Sequence, residues 1–138
     1  MAGEVELAAI LCTLILGGEP EVSHGYSVGY DLHRIRVDCE TETAVIEMGL
    51  DKRSSLDSVQ QAIFAGSLTG KTPVVILFDT DGQEGPYEMR VRTVSDLAGV
   101  DYLVWDADAL LRLGAARGPY PAPKPAIRQR PPRPEESF

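Results

Sequence analysis

The chain has 138 residues, of which 43% are hydrophobic and 25% charged, values that fit one globular domain with a real core. Its formal net charge is −8, but residues 117–138 hold five basic and two acidic residues, so residues 1–116 carry −11. This acidity argues against a passive nucleic-acid binder, because contact with phosphates needs a cationic surface. It suits a protein that gathers divalent cations.

One long apolar run, residues 7–16, follows Glu4 and Glu6 instead of the positive residues of a secretory signal. The run is also shorter than the ~20 residues that cross a bilayer. Cys12 and Cys39 lie in apolar surroundings without the spacing of a metal-binding or redox pair. We therefore expect a cytoplasmic protein with no membrane segment, in which both cysteines are buried small hydrophobes in a reducing compartment.

The first half of the chain predicts a helix followed by strands. Residues 4–16 contain good helix formers, begin with acidic residues and end at Gly17-Gly18, which predicts the first helix. Residues 25–39 predict one or two strands of a meander, because apolar Ile35 and Val37 alternate there with charged Arg34, Arg36 and Asp38. A turn at residues 40–42 leads to another predicted strand at residues 43–50.

The second half repeats the alternation of helix and strand. Residues 51–68 have apolar side chains at helical spacing, and residues 72–79 form a continuous apolar run typical of a buried central strand. The remaining predicted elements are a helix at 89–99, a strand at 101–105 and a short helix at 107–113. This order predicts an α/β fold with a mixed β-sheet flanked by helices.

From residue 117 onward the composition changes, and seven prolines fall within residues 119–138. Such a segment cannot form a packed core. We expect residues 1–116 to form the domain and residues 117–138 to form a disordered tail rich in proline and arginine. The tail could also act as an extended ligand for a protein partner.

Two carboxylates are the strongest candidate for a chemical site. Asp38 ends one predicted strand and Glu47 lies inside the next, so their side chains can converge. Two carboxylates held close together resist ionising at the same time unless a cation lies between them. Oxygen ligands of this kind suit Mg²⁺ or Mn²⁺, which can activate a water molecule and neutralise a phosphorane-like transition state.

Two other motifs are weaker. The sequence AGSLTGKT, which contains Lys71, matches a relaxed phosphate-loop pattern, but the helix precedes the loop and a strand follows it, the reverse of what phosphate binding needs. The sequence FDTDG, with Asp79 and Asp81, is similar to the DxDG signature of haloacid dehalogenase-like phosphatases. Too few residues follow for the rest of such a site, so a turn built from Asp and Gly is the favoured interpretation.

The stretch RVDCETETAVIEMGLDKRSSLDSVQQAIFAGSLTGKTPVVILFD resembles the core of the PD-(D/E)XK nuclease superfamily. With the first helix, the resemblance covers about residues 4–79, and it implies a restriction-endonuclease-like core. Asp38, Glu47 and Gln61 match the family's two metal-binding carboxylates and its helix glutamine in order and in element. Glu6 matches the glutamate that the first helix contributes to the metal site in many members.

The sequence departs from the family at the lysine, because Gly49 occupies the position two residues after Glu47. Lys52 can supply the amine from a migrated position, and Arg53 is a second candidate. The resemblance thus implies a DNA phosphodiesterase in which Glu6, Asp38 and Glu47 bind Mg²⁺ or Mn²⁺, Lys52 assists and Gln61 supports the site. The alternative is an inactive module of the same fold that binds or assembles with other proteins. A homodimer is compatible with either function.

Overall fold

The computed structural model describes residues 3–51 and 56–116, so Lys52, Arg53 and the tail at 117–138 lie outside the described residues. The prediction that the tail is disordered therefore stays a prediction. In chain order the elements are α1 (Glu4–Ile10), a π-helical segment (Leu11–Ile15), β1 (Glu19–Val28), β2 (Asp31–Glu40), β3 (Ala44–Leu50), α2 (Leu56–Thr69), β4 (Thr72–Asp79), α3 (Pro86–Ala98), β5 (Asp101–Asp106) and α4 (Ala107–Ala116).

The five strands form one sheet in the order β1-β2-β3-β4-β5. The pairs β1–β2 and β2–β3 are antiparallel, while β3–β4 and β4–β5 are parallel. The parallel pairs require crossover connections, which α2 and α3 provide. The predicted α/β fold with a mixed sheet flanked by helices is thereby confirmed.

The central strands β3 and β4 are buried on both faces of the sheet. On one face, α1, the π-helical segment and α4 pack against β2, β3 and β4 through a cluster that includes Leu7, Leu11, Met48, Phe78 and Leu110. On the other face, α2 and α3 cover β4 through a second cluster that includes Val59, Val75, Leu77 and Val91. Alternate side chains of a strand point to opposite faces, which explains why β4 is a continuous apolar run.

The first helix differs from its predicted form. It is α-helical only as far as Ile10 and continues as π-helix, in which the Leu16 N–H donates to the Leu11 carbonyl at 2.9 Å. π-helical turns are rare and often occur near functional sites. The first strand also begins earlier than the alternation indicated, at Glu19, so the region before residue 25 belongs to β1.

The expectation that the two cysteines are separate small hydrophobes is wrong, because Cys12 and Cys39 form a disulfide. The bond joins the π-helical segment to β2, and both cysteines are fully buried. The approach requires Gly18, since a Cβ atom there would lie 2.7 Å from the Cys39 sulfur. A separation of 27 residues hides such a pair from any argument based on local spacing.

Among the described residues, no helix is both long enough and apolar enough to cross a bilayer.

Candidate metal centre

The candidate site lies where β2 and β3 separate. The ladder between these strands consists of the pairs Cys39 with Ile46 and Glu40 with Val45, and Asp38 and Glu47 are the next residues on each strand. The Asp38 N–H donates to Oε2 of Glu47 at 3.3 Å, and the Met48 N–H donates to Oδ2 of Asp38 at 2.8 Å. At the point where the ladder stops, the two carboxylates therefore accept the backbone N–H groups that carbonyl oxygens would accept in a regular ladder.

A bend in β2 opens the site. Val37 packs with Val45 and Ala65 beneath α2, whereas Cys39 packs on the side of α1. Residues two apart in a regular strand share a face, so the strand must bend at the residue between them, which is Asp38. Opposite the bend, Glu21 has a φ of 55°. A residue other than glycine pays about 1–2 kcal/mol for this left-handed conformation, and such strain is common at functional sites.

The electrostatics of the pair favour a bound cation. Glu47 is only 4% exposed. Its burial, reinforced by the nearby charge of Asp38, raises the pKa of Glu47 to about 8. Burial also raises the pKa of Asp38, although the hydrogen bond from Met48 and the charge of Arg36 oppose the change. At neutral pH the pair therefore holds a proton that a divalent cation can displace.

Gln61 takes the position that the sequence predicted. It lies on α2 and lines a crevice of about 420 Å³ together with Asp38 and Glu47. The opposite wall is made by residues 34–36 of β2, which bring two arginines to the same opening. The structure thus brings together three of the predicted site residues with the cationic side chains of Arg34 and Arg36.

The structure does not bring Glu6 to the carboxylate pair. Glu6 is exposed and lines neither this crevice nor a smaller cavity of about 220 Å³ that also reaches Asp38. Glu4 lines the smaller cavity with Met48, and its charge contributes to the raised pKa of Glu47. Since helical residues advance by about 100° each, Glu4 and Glu6 cannot share a face of α1.

The lysine that the resemblance to the nuclease superfamily implies has no counterpart among the described residues that line the crevice. Gly49 is buried at the usual position, and Lys52 lies outside the described residues. Lys71, which is described, is used elsewhere, because its Nζ donates to Oε2 of Glu40 at 2.6 Å and to the Thr41 carbonyl at 2.8 Å.

Glu40 is the centre of a buried polar cluster that sequence reasoning missed. Its side chain is 2% exposed, and Nε2 of His24 lies 2.5 Å from its Oε1. Burial alone would raise the pKa of Glu40, but the hydrogen bonds and charges of Lys71 and His24 outweigh burial and leave it lowered. No local signal could identify this cluster, since Lys71 lies 31 residues from Glu40 in sequence.

A second acidic group lies at the carboxyl ends of β3 and β4. Carboxylate oxygens of Asp51, Asp79 and Glu88 lie within 4.8 Å of one another. Each carboxylate already accepts backbone hydrogen bonds. Asp51 accepts from the Thr80 N–H, Asp79 from the N–H groups of Asp81 and Gly82, and Glu88 from the Gly85 N–H. This is the turn chemistry that the sequence FDTDG indicated.

Comparison of the chain with protein-family models, with curated proteins and with solved structures finds no match.

Proposed function

We propose that the chain is a metal-dependent phosphodiesterase that acts on DNA. The observation that carries the proposal is the pair Asp38 and Glu47, two carboxylates that each accept a backbone N–H from the other's strand and that line a crevice with arginines along one wall. The oxygen donors fit Mg²⁺ or Mn²⁺, and the raised pKa of Glu47 indicates that the pair lacks charge compensation without a cation.

In this proposal each residue has one role. Asp38 and Glu47 bind the cation, which when bound lowers the pKa of a water molecule and stabilises charge on the phosphoryl oxygens. Gln61 orients the attacking water or the phosphate from the α2 wall. Arg34 and Arg36 bind phosphate oxygens. Lys52 remains the predicted amine that stabilises the transition state.

In this proposal the first helix contributes Glu4 instead of Glu6, because Glu4 and Asp38 line the same cavity. The two glutamates make a matched pair for a test. We expect Glu4→Gln to weaken Mn²⁺ binding measured by calorimetry by about tenfold or more, as loss of a supporting carboxylate does at other metal sites. We expect Glu6→Gln to leave it unchanged. The reverse order would restore Glu6 to the site.

The alternative function is an inactive module of the same fold. Gly49 favours it, because glycine at the lysine position can neither orient water nor stabilise charge. The charge of −11 on residues 1–116 also favours it, since an active nuclease benefits from a cationic groove.

A plasmid assay separates the two functions. The full chain with Mg²⁺ or Mn²⁺ should convert supercoiled plasmid to the nicked form, and Asp38→Asn and Glu47→Gln should each abolish nicking. Asp51→Asn, in the other acidic group, is the matched control and should retain it. Cleavage that persists in both site variants would refute the site, and absence of both cleavage and Mn²⁺ binding in the unaltered chain would favour the inactive module.

We also propose that the protein acts in the cytoplasm. Reducing conditions there would open the Cys12–Cys39 disulfide. Both cysteines are fully buried, so the resulting thiols would stay within the packed core beside α1.

A further inference from the structure

The outer part of the β1–β2 hairpin is a two-stranded ribbon, defined here as residues 22–37. Its strands pair from Val22 with Val37 to Val28 with Asp31, but β3 pairs with β2 only at Cys39 and Glu40 in the described part of the chain. In the described part of the chain, the edge of β2 that faces away from β1 therefore has no neighbouring strand within the ribbon, and this edge faces the crevice. Backbone groups along such an edge are available to a ligand.

Side chains of different chemistry flank this free edge. Arg34 and Arg36 lie on one face of the ribbon, both exposed and ~7 Å apart along the strand. His33 and Ile35 point to the opposite face, which turns toward α2. A polymer that follows the edge thus meets cations on one side and flat or apolar side chains on the other. A nucleic-acid strand matches this arrangement, because it has charged phosphates along one side and flat bases along the other.

Three aromatic rings form a column between α2 and the face of the ribbon that turns toward α2. The ring of Phe64 on α2 contacts Tyr26 of the ribbon edge to face at 4.8 Å, and Tyr26 stacks on His33 at 5.5 Å with an interplanar angle of 25°. Phe64 is one turn beyond Gln61, so the column rises beside the crevice. His33 is the exposed end of the column, and its ring stacks on Tyr26, which in turn contacts Phe64.

We propose that the crevice binds one unpaired strand of DNA, with a base stacked on His33 and the adjoining phosphates on Arg34 and Arg36. This inference rests on the function proposed for the Asp38–Glu47 pair, because it names the substrate class of that site. Bases within a duplex are stacked on each other and offer no free face to His33, whereas an unpaired base does. The crevice is bounded by the ribbon and α2 and has a volume of about 420 Å³.

Binding can be measured without cleavage. Fluorescein-labelled oligothymidylate and a blunt-ended duplex of equal length would be titrated with the full chain in EDTA, with fluorescence anisotropy as the readout. We expect the single strand to bind at least tenfold more tightly than the duplex, with an affinity that falls as salt rises. Equal or tighter binding of the duplex would overturn the inference.

Variants of His33 test the stacking directly. His33→Ala should weaken binding of oligothymidylate about tenfold, and His33→Phe should retain most of it, because a phenyl ring still stacks but carries no charge. Tyr87→Ala, which removes a partly exposed ring from α3, is the matched control and should have no effect. The circular dichroism spectrum of each variant should match that of the unaltered chain, since His33 and Tyr87 lie at the surface.

The outcomes separate this inference from the proposed function. Binding of single strands that depends on His33, combined with no nicking by the unaltered chain, would support the strand site and reject the nuclease. Cleavage that requires Asp38 and Glu47 but is unchanged in His33→Ala and faster on duplex DNA would support the nuclease and reject the strand site.

Discussion

Asp38 and Glu47 each accept a hydrogen bond from the backbone of the other residue's strand. Glu47 accepts the Asp38 N–H, and Asp38 accepts the N–H of Met48, the residue after Glu47. Each carboxylate is therefore fixed by the backbone of the neighbouring strand. Carboxylate oxygens have further lone pairs that can bind a cation, while burial keeps the pair from ionising fully without one.

The first prediction concerns the pH dependence of metal binding. Because the pKa of Glu47 is raised to about 8, Mn²⁺ must displace a proton at neutral pH. The apparent affinity should rise about tenfold per pH unit below pH 8 and level off above it. Calorimetry in buffers of different ionisation enthalpy should count about one proton released at pH 7. An affinity that is constant between pH 6 and pH 8 would contradict the raised pKa.

The same pKa predicts how stability depends on pH. A carboxyl with a pKa raised on folding stabilises the fold fully below its unfolded pKa, near 4.5, and this contribution is lost as pH rises through about 8. Glu47→Gln removes the titration while keeping an acceptor for the Asp38 N–H. We expect the variant to gain roughly 3–4 kcal/mol relative to the unaltered chain between pH 5 and pH 8, measured by urea unfolding in EDTA. A constant difference across this range would be inconsistent with burial of the carboxylate.

The placement of Asp38 and Glu47 on neighbouring strands could be predicted from sequence because it depends on local periodicity, whereas Gln61 was indicated by the resemblance to the nuclease superfamily. A short turn joins two strands with alternating side chains, and a helix of regular spacing follows. The position of Glu4, instead of Glu6, in the cavity beside Asp38 could not be predicted in this way. The first helix is apolar almost all round, so its rotation is decided by which side chains, such as Leu7, find room against the sheet.

Other features depend on contacts between distant parts of the chain. The Cys12–Cys39 bond spans 27 residues, and the Glu40–Lys71 ion pair spans 31. The bend at Asp38 is also non-local, since it requires β3 to stop pairing with β2 and Glu21 to adopt a positive φ on the opposite strand. No pattern of residue types within one strand specifies these contacts, because they arise from the packing of elements on both faces of the sheet.

The disulfide gives a third prediction. Closing a loop of 27 residues restricts the unfolded chain, which corresponds to about 3.5 kcal/mol by the loop-entropy relation. The double variant Cys12→Ala/Cys39→Ala should lose about this much free energy of unfolding under oxidising conditions. With a dithiol reductant, unaltered chain and variant should differ by only about 1 kcal/mol. Equal stability under oxidising conditions would show that the bond does not form.

Gly18 provides a fourth prediction, because it packs closely against the Cys12–Cys39 disulfide and the backbone of β2. An added Cβ would lie 2.7 Å from the Cys39 sulfur and 3.0 Å from the Glu40 carbonyl oxygen, which is backbone and cannot move easily. Gly18→Ala should cost about 2 kcal/mol of stability. Gly25→Ala is the control within the same strand pair, since its nearest contact would be an ordinary 3.8 Å, and it should cost less than half as much. Thermal unfolding of the two variants measures the difference.

The last prediction concerns the buried cluster around Glu40. Lys71→Met would leave a carboxylate that is 2% exposed with His24 as its remaining side-chain partner, and breaking a buried pair from one side costs about 3 kcal/mol. In the unaltered chain the lowered pKa of Glu40 contributes stability above pH 4.5 that is lost as pH falls through the folded value. The cost of Lys71→Met should therefore be largest at neutral pH and shrink toward pH 4, where Glu40 becomes protonated in the variant.

Adding Glu40→Gln to the variant should recover most of the loss at pH 7, because the uncompensated charge is then removed. Urea unfolding of the single and double variants at both pH values tests the argument. A loss below 1 kcal/mol at pH 7, or no recovery in the double variant, would mean that the pair behaves as a solvated surface pair.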